Sequence, residues 1–261
     1  AGAFAAGTND SGRVFMVAAV VVLVHSIVTV WNDLVDEAGD HYNDIHRVAA
    51  LRKQGLLTMV RAGLYILVAA VVVLLRFLPL TEVLLTLVLF GLGWLYNREP
   101  VRASRRPVLS MVILALSYGA LPFLMGAGLG QPTRLVWLML LAWMLSRASL
   151  SLLKDYKDAP GDAQAGKRTF LLRYGGTLTA RLSFGLAAAG LLSLTILTVY
   201  VTDTRQLSVA GSLCIVVVGL MVLRARLFAA HDYASLNRIF HEAVQFQLVF
   251  DALVILWLRI S

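Results

Sequence analysis

Long apolar runs, separated by short loops that gather nearly all the charge, constrain this chain more than any other feature. Eight such runs are legible, at 14–31, 57–76, 80–96, 108–127, 135–153, 177–201, 208–228 and 243–261. Most approach the ~20 residues that a bilayer-crossing helix needs. A stretch such as YILVAAVVVLL has no polar alternation, and a helix pairs its own backbone where water cannot reach. The short alternating segments of a membrane barrel are absent. Composition agrees: 59% of residues are hydrophobic, against about 45–50% in soluble domains. The expectation is an all-α, multi-pass membrane protein, with residues 1–261 forming a single transmembrane domain.

The formal net charge of +8 could suit nucleic acid, but its placement argues otherwise. Fifteen Lys and Arg residues fall in loops on one face of the reading, including Arg47, Arg52, Lys53, Arg102, Arg105, Arg106, Lys154, Lys167, Arg168 and Arg173. The alternate loops hold only Arg76, Arg134 and Arg205. The positive-inside rule makes the basic face cytoplasmic. The single cysteine, Cys214, lies in an apolar run and excludes an intrachain disulfide.

Two acidic stretches, NDLVDEAGD (32–40) and KDYKDAPGD (154–162), each begin where a span ends, and both fall on that basic face. On a helix, Asn32, Asp36 and Asp40 stand at i, i+4 and i+8, and Asp155, Asp158 and Asp162 at i, i+3 and i+7. Either spacing lines up one face, although Pro160-Gly161 is expected to end the helix before Asp162. Two charges ~5 Å apart at an effective dielectric of ~20 repel by roughly 3 kcal/mol, so joined acidic rows call for cations. All-oxygen donors suit a hard ion, Mg2+ or Ca2+, over zinc. Lys154, Lys167 and Arg168 beside one row, with Arg47, Arg52 and Lys53 beyond the other, supply an anion site. Metal-bridged phosphate fits that mixture better than a bare cation passage. A phosphorylated head at the rim and an apolar bundle behind it suit a substrate with a hydrocarbon tail, at ~0.8 kcal/mol per buried CH2.

With those stretches in hand, the sequence resembles the UbiA superfamily of intramembrane prenyltransferases. The first matches the family's NDxxDxxxD motif through Asn32, Asp33, Asp36 and Asp40. The second, running on through AQAGKRTFLLRYG, is similar to DxxDxxGD with its trailing segment, through Asp155, Asp158, Gly161, Asp162, Gly166, Thr169, Arg173 and Gly175. Between them, Tyr96, Pro100 and Arg102 resemble the Tyr-x-x-x-Pro-x-Arg loop, and Tyr118-Gly119 the helix after it. The resemblance implies nine helices around a central cavity; the one not read here would precede residue 14. It implies two Mg2+ ions held by both motifs, with Asn32, Asp33, Asp36, Asp40, Asp155, Asp158 and Asp162 as ligands or water positioners. Asp36, Asp155 and Asp158 would be central to catalysis. Lys154, Lys167, Arg168, Arg102, Arg47 and Arg52 would bind diphosphate, and Tyr96 and Tyr118 would line the cavity. The implied reaction moves a prenyl group from a polyprenyl diphosphate to an aromatic or lipid acceptor. One departure is HRVAALRKQG after the first motif, where most members read like RxxRPL.

Arg147, inside an apolar span eight residues before Asp155, is expected to face the cavity, because intramembrane charge is costly and commonly functional. His25 is expected to be a packing residue. Two other functions share parts of this pattern. A terpene cyclase of the same fold would close the cation on its own chain. A cation-coupled transporter would put its carboxylates at the bilayer midplane in broken helices, whereas these lie at span ends.

Overall fold

The computed structural model describes residues 11–41, 47–127, 134–199, 226, 238–245, 247–249 and 251–252. Among them the structure is helical throughout: α1 (Ser11–His41), α2 (Arg47–Lys53), α3 (Leu57–Leu75), α4 (Leu80–Asn97), α5 (Pro107–Ala115), α6 (Leu121–Ala127), α7 (Arg134–Gln164), α8 (Phe170–Tyr174) and α9 (Gly176–Val199). Five stretches are long and apolar enough to cross a bilayer: Ser11–Glu37, Leu57–Leu75, Leu80–Asn97, Pro107–Ala127 and Val136–Tyr156. They coincide with the first five expected spans, and α9 occupies the sixth. All of the expected span at 208–228 except residue 226, and most of that at 243–261, lie outside the described residues.

Val17, Val20, Val24 and Ile27 recur at helical spacing on α1 and close a core with Val71, Leu78, Leu89, Leu121 and Met125. The opposite faces carry apolar side chains outward, including Phe15, Tyr65, Ile66, Val72 and Val73. In water that surface would be strongly unfavourable; in lipid it matches its surroundings. Gly93 lets α4 approach α1, since a Cβ there would lie 2.5 Å from Val28 Cγ2. At the end of α1 away from the acidic motif, Arg13 pairs with the fully buried Glu82 of α4. α7 and α9 are joined by reciprocal serine bonds. Ser149 Oγ donates to the Ser183 carbonyl at 2.7 Å, and Ser183 Oγ to the Ser149 carbonyl at 3.0 Å. Small hydroxyl residues are a usual adhesive between membrane helices.

Two irregularities shape the interior. A π-turn over Leu116–Ala120 interrupts the span that α5 and α6 otherwise form, and His25 Nε2 lies 3.1 Å from the Ser117 carbonyl. The second corrects the sequence expectation at Pro160: α7 runs through it to Gln164. A proline removes one backbone donor, but α7 has about seven turns of helix before it and a strong stop after it. At that stop the Lys167 amide donates to the Asp162 carbonyl (2.9 Å) and the Gly166 amide to the Ala163 carbonyl (3.2 Å). Gly166 takes the left-handed φ of +67° that this Schellman-type reversal requires. The chain therefore turns back over Asp162.

Candidate functional site: an acidic mouth above an apolar cavity

The reversal after α7 brings the two acidic motifs together. Lys167 Nζ lies 3.0 Å from Asp162 Oδ1 and 3.1 Å from Asp36 Oδ2. A carboxylate from each motif thus shares one ammonium, although 126 positions separate them in the chain. Arg102 closes the other side of Asp36, with Nη2 3.1 Å from Oδ1. It does so from a left-handed backbone, φ +35°, a strained conformation of a kind that clusters at functional sites. Asp155, also buried, has Lys154 Nζ 3.2 Å from its Oδ1. Lys154 in turn donates to the Tyr96 hydroxyl at 3.3 Å.

Burial sets the electrostatics. It pushes the Asp162 carboxyl above its ordinary value, with Lys167 opposing the shift. Burial also works against the Lys167 charge, but Asp36 and Asp162 together outweigh it and raise the ammonium above its usual value. The mouth is therefore a mutually dependent set of charges.

Below it lies a cavity of about 330 Å3. Asn32, Tyr96 and Lys154 line its motif end, and His25, Ser117, Tyr118 and Arg147 line the interior, between aliphatic walls from Val24, Val28, Leu89, Ile113 and Leu150. The His25 ring packs against Tyr118, with centroids 4.4 Å apart and planes tilted by 49°, and its Nδ1 lies 2.8 Å from the Val21 carbonyl. His25 therefore packs against its own helix and forms cavity wall as well. Arg147, about 12 Å below Asp155 at 1.5 Å per residue, pairs with Asp251 and lies over the Trp143 ring.

The remaining site candidates fall into three groups. Asp33 and Asp158 are half-buried, and neither lacks a partner. Arg52 donates to Glu37 at 2.6 Å on an exposed surface, and Arg168 faces a separate groove beside the loop at 98–106. The side chains of Asp40 and Arg47 lie outside the described residues. Sequence reasoning missed Ser117, whose buried Oγ has no hydrogen-bond partner, and the Arg147–Asp251 pair. A charge inside each of two apolar runs was the available signal for that pair.

Whether these residues fit a divalent ion is a question of donor chemistry. Among the described residues no three acidic, histidine or cysteine side chains gather tightly enough to hold an ion alone. The donors are nonetheless all oxygen, and Asn32 Oδ1 is buried without a partner beside the mouth. Mg2+ characteristically takes one or two carboxylates and fills its shell with water and phosphate oxygen. Asp36 from the first motif, with Asp155 and Asp162 from the second, all buried, offer that kind of donor, so the donor set fits.

An all-helical membrane bundle with an acidic, cation-bridged mouth over an apolar cavity defines the class of protein. Residues 1–250 match the UbiA prenyltransferase family, and the chain belongs to that family. It is 29% identical over 112 residues to the bacteriochlorophyll synthase 33 kDa chain of Cereibacter sphaeroides, covering 41% of this chain and 37% of that one. It is 36% identical over 89 residues to digeranylgeranylglyceryl phosphate synthase of Methanopyrus kandleri, covering 34% and 32% respectively. The matched regions thus span only about a third of each of these relatives. A solved structure reported for digeranylgeranylglyceryl phosphate synthase in membranes superposes with a TM-score of 0.68 at 18% identity, over 98% of this chain and 90% of that one. At that identity the likeness speaks to the fold.

Proposed function

We propose that this chain is an Mg2+-dependent membrane prenyltransferase that moves a prenyl group from a polyprenyl diphosphate to an acceptor within the bilayer. The observation that carries the reading is Lys167 bridging Asp36 and Asp162 at the mouth of the cavity. One end of the site is built for a charged oxygen-rich group bound through cations, and the other for hydrocarbon. Asn32, Asp33, Asp36 and Asp40 from the first motif, with Asp155, Asp158 and Asp162 from the second, are the proposed holders of Mg2+. When bound, Mg2+ supplies Lewis-acid charge at the diphosphate oxygens.

The protein's own residues do the rest. Lys154, Lys167 and Arg102 offer positive charge to the leaving diphosphate, where preorganised donors lower the barrier most. Arg168 is the proposed outer contact for diphosphate, and Arg47 and Arg52 the flanking charges. Tyr96 and Tyr118, which line the cavity, are the proposed aromatic partners of the allylic carbon as positive charge develops there. The aliphatic wall orients the tail and excludes water. The Lys and Arg distribution supports a cytoplasmic mouth.

The test uses purified protein with labelled geranylgeranyl diphosphate and lipid extract as acceptor source. Asp36→Asn and Asp155→Asn should lose transfer while melting at the wild-type temperature. Wild-type turnover in either variant, or undiminished turnover in EDTA, would overturn the assignment. Labelled cyclic hydrocarbon formed without acceptor would replace transfer with cyclisation.

A further inference from the structure

Next to the acidic mouth, the loop at 98–106 and the segment at 166–174 enclose a second concavity of about 600 Å3. Arg102, Arg105, Arg106, Arg168 and Arg173 line it, against a single acidic residue, Glu99. Glu99 is largely exposed and, among the described residues, reaches only Arg102, at 3.9 Å. Among the described residues Arg105, Arg168 and Arg173 have no carboxylate partner. The groove is also shaped. Arg106 Nη2 donates to the Pro100 carbonyl at 3.0 Å, and the Arg173 guanidinium lies 5.3 Å from the Tyr174 ring centroid. Pro107, Val108 and Leu109 at the start of α5 form part of the wall, and that helix end has no side-chain cap. Its amides and partial positive charge add to the arginines.

Membrane topology accounts for basic residues in these loops, but it asks only for their number. It does not ask that guanidinium groups from two chain segments and a helix N-terminus converge on one hollow, where they repel one another. A hollow lined by one sign of charge concentrates counter-ions, and the planar guanidinium fork matches phosphate oxygens.

We infer that this groove is a second anion site, adjoining the carboxylate-lined mouth and sharing Arg102 and Arg168 with the proposed diphosphate contacts, and that it takes a phosphate ester. The source is either the headgroup of an anionic membrane lipid or a small phosphate ester from the aqueous phase. This inference stands without the proposed transfer reaction.

The experiment uses the intact protein in nanodiscs, with phosphatidylglycerol and phosphatidylcholine as lipid probes and glycerol phosphate as the soluble probe. Wild type should prefer phosphatidylglycerol over phosphatidylcholine by at least about tenfold, or bind glycerol phosphate with comparable selectivity over glycerol. The first result assigns a lipid source and the second a soluble one. Arg105→Gln/Arg173→Gln should lose that preference while binding geranylgeranyl diphosphate as wild type does. Arg61→Gln/Arg181→Gln, which removes the same charge from exposed sites elsewhere, should keep it. Single Arg105→Gln and Arg173→Gln variants replace the double if it fails to fold. The inference fails if wild type shows neither preference, if the groove variants retain it, or if the Arg61/Arg181 control loses it equally.

Discussion

Lys167 holds the site together at the level of single side chains. Its ammonium touches one carboxylate from each motif, so replacing it leaves two buried acids with too little compensation. Lys167→Met should lower transfer by about 100-fold or more, the usual cost of removing one preorganised donor; steady-state turnover with saturating diphosphate reads it directly. The same contacts set a pH dependence in metal-free protein. Because Asp36 and Asp162 raise the Lys167 ammonium above the ordinary 10.5, their stabilisation is complete below that value. It is lost as pH rises through the raised one. Thermal midpoints should fall more steeply above pH 10.5 in wild type than in Lys167→Met. Deeper in the bundle, Arg147→Met should destabilise by about 3–5 kcal/mol, because it strands the Asp251 carboxylate in a buried place. Arg147→Met/Asp251→Asn should recover much of the loss in a detergent unfolding series, and equal destabilisation of the double variant would refute the pairing.

Among the elements, the reversal at the end of α7 matters most. Gly166→Ala forces a side chain into φ +67°, which costs about 1–2 kcal/mol, and it shifts the backbone that carries Lys167. Activity should therefore fall further than the small drop in melting temperature accounts for. The motif spacing was legible before any coordinates because i, i+3 and i+7 fall on one helical face whichever neighbour that face meets. Pro160 misled, since proline punctuation is a local rule and a long helix with a strong cap overrides it. The π-turn at Leu116–Ala120 has no counterpart in LSYGA that periodicity could detect. Arg147 was flagged by its cost in lipid, but its partner stands 104 positions away, beyond the reach of any pattern along the chain.

For the whole molecule, hydropathy carried the architecture: a run of ~20 apolar residues has few stable fates outside a bilayer. The arginine groove was invisible for the opposite reason. Its residues read as ordinary loop charge until folding gathers them into one hollow. Sidedness is the prediction at this scale. With Cys214 replaced by serine, a cysteine at position 53 should react with impermeant maleimide only in inside-out vesicles, and one at Phe77 only in right-side-out cells. The reverse pattern would invert the topology. α3, finally, buries Val71 alone and turns most of its remaining surface to hydrocarbon. Its sequence answers to the solvent more than to the protein. Leucine, isoleucine, valine and phenylalanine should exchange along its outer face with little effect, and that stretch should drift fastest among kin while the short reversal at 162–167 stays fixed.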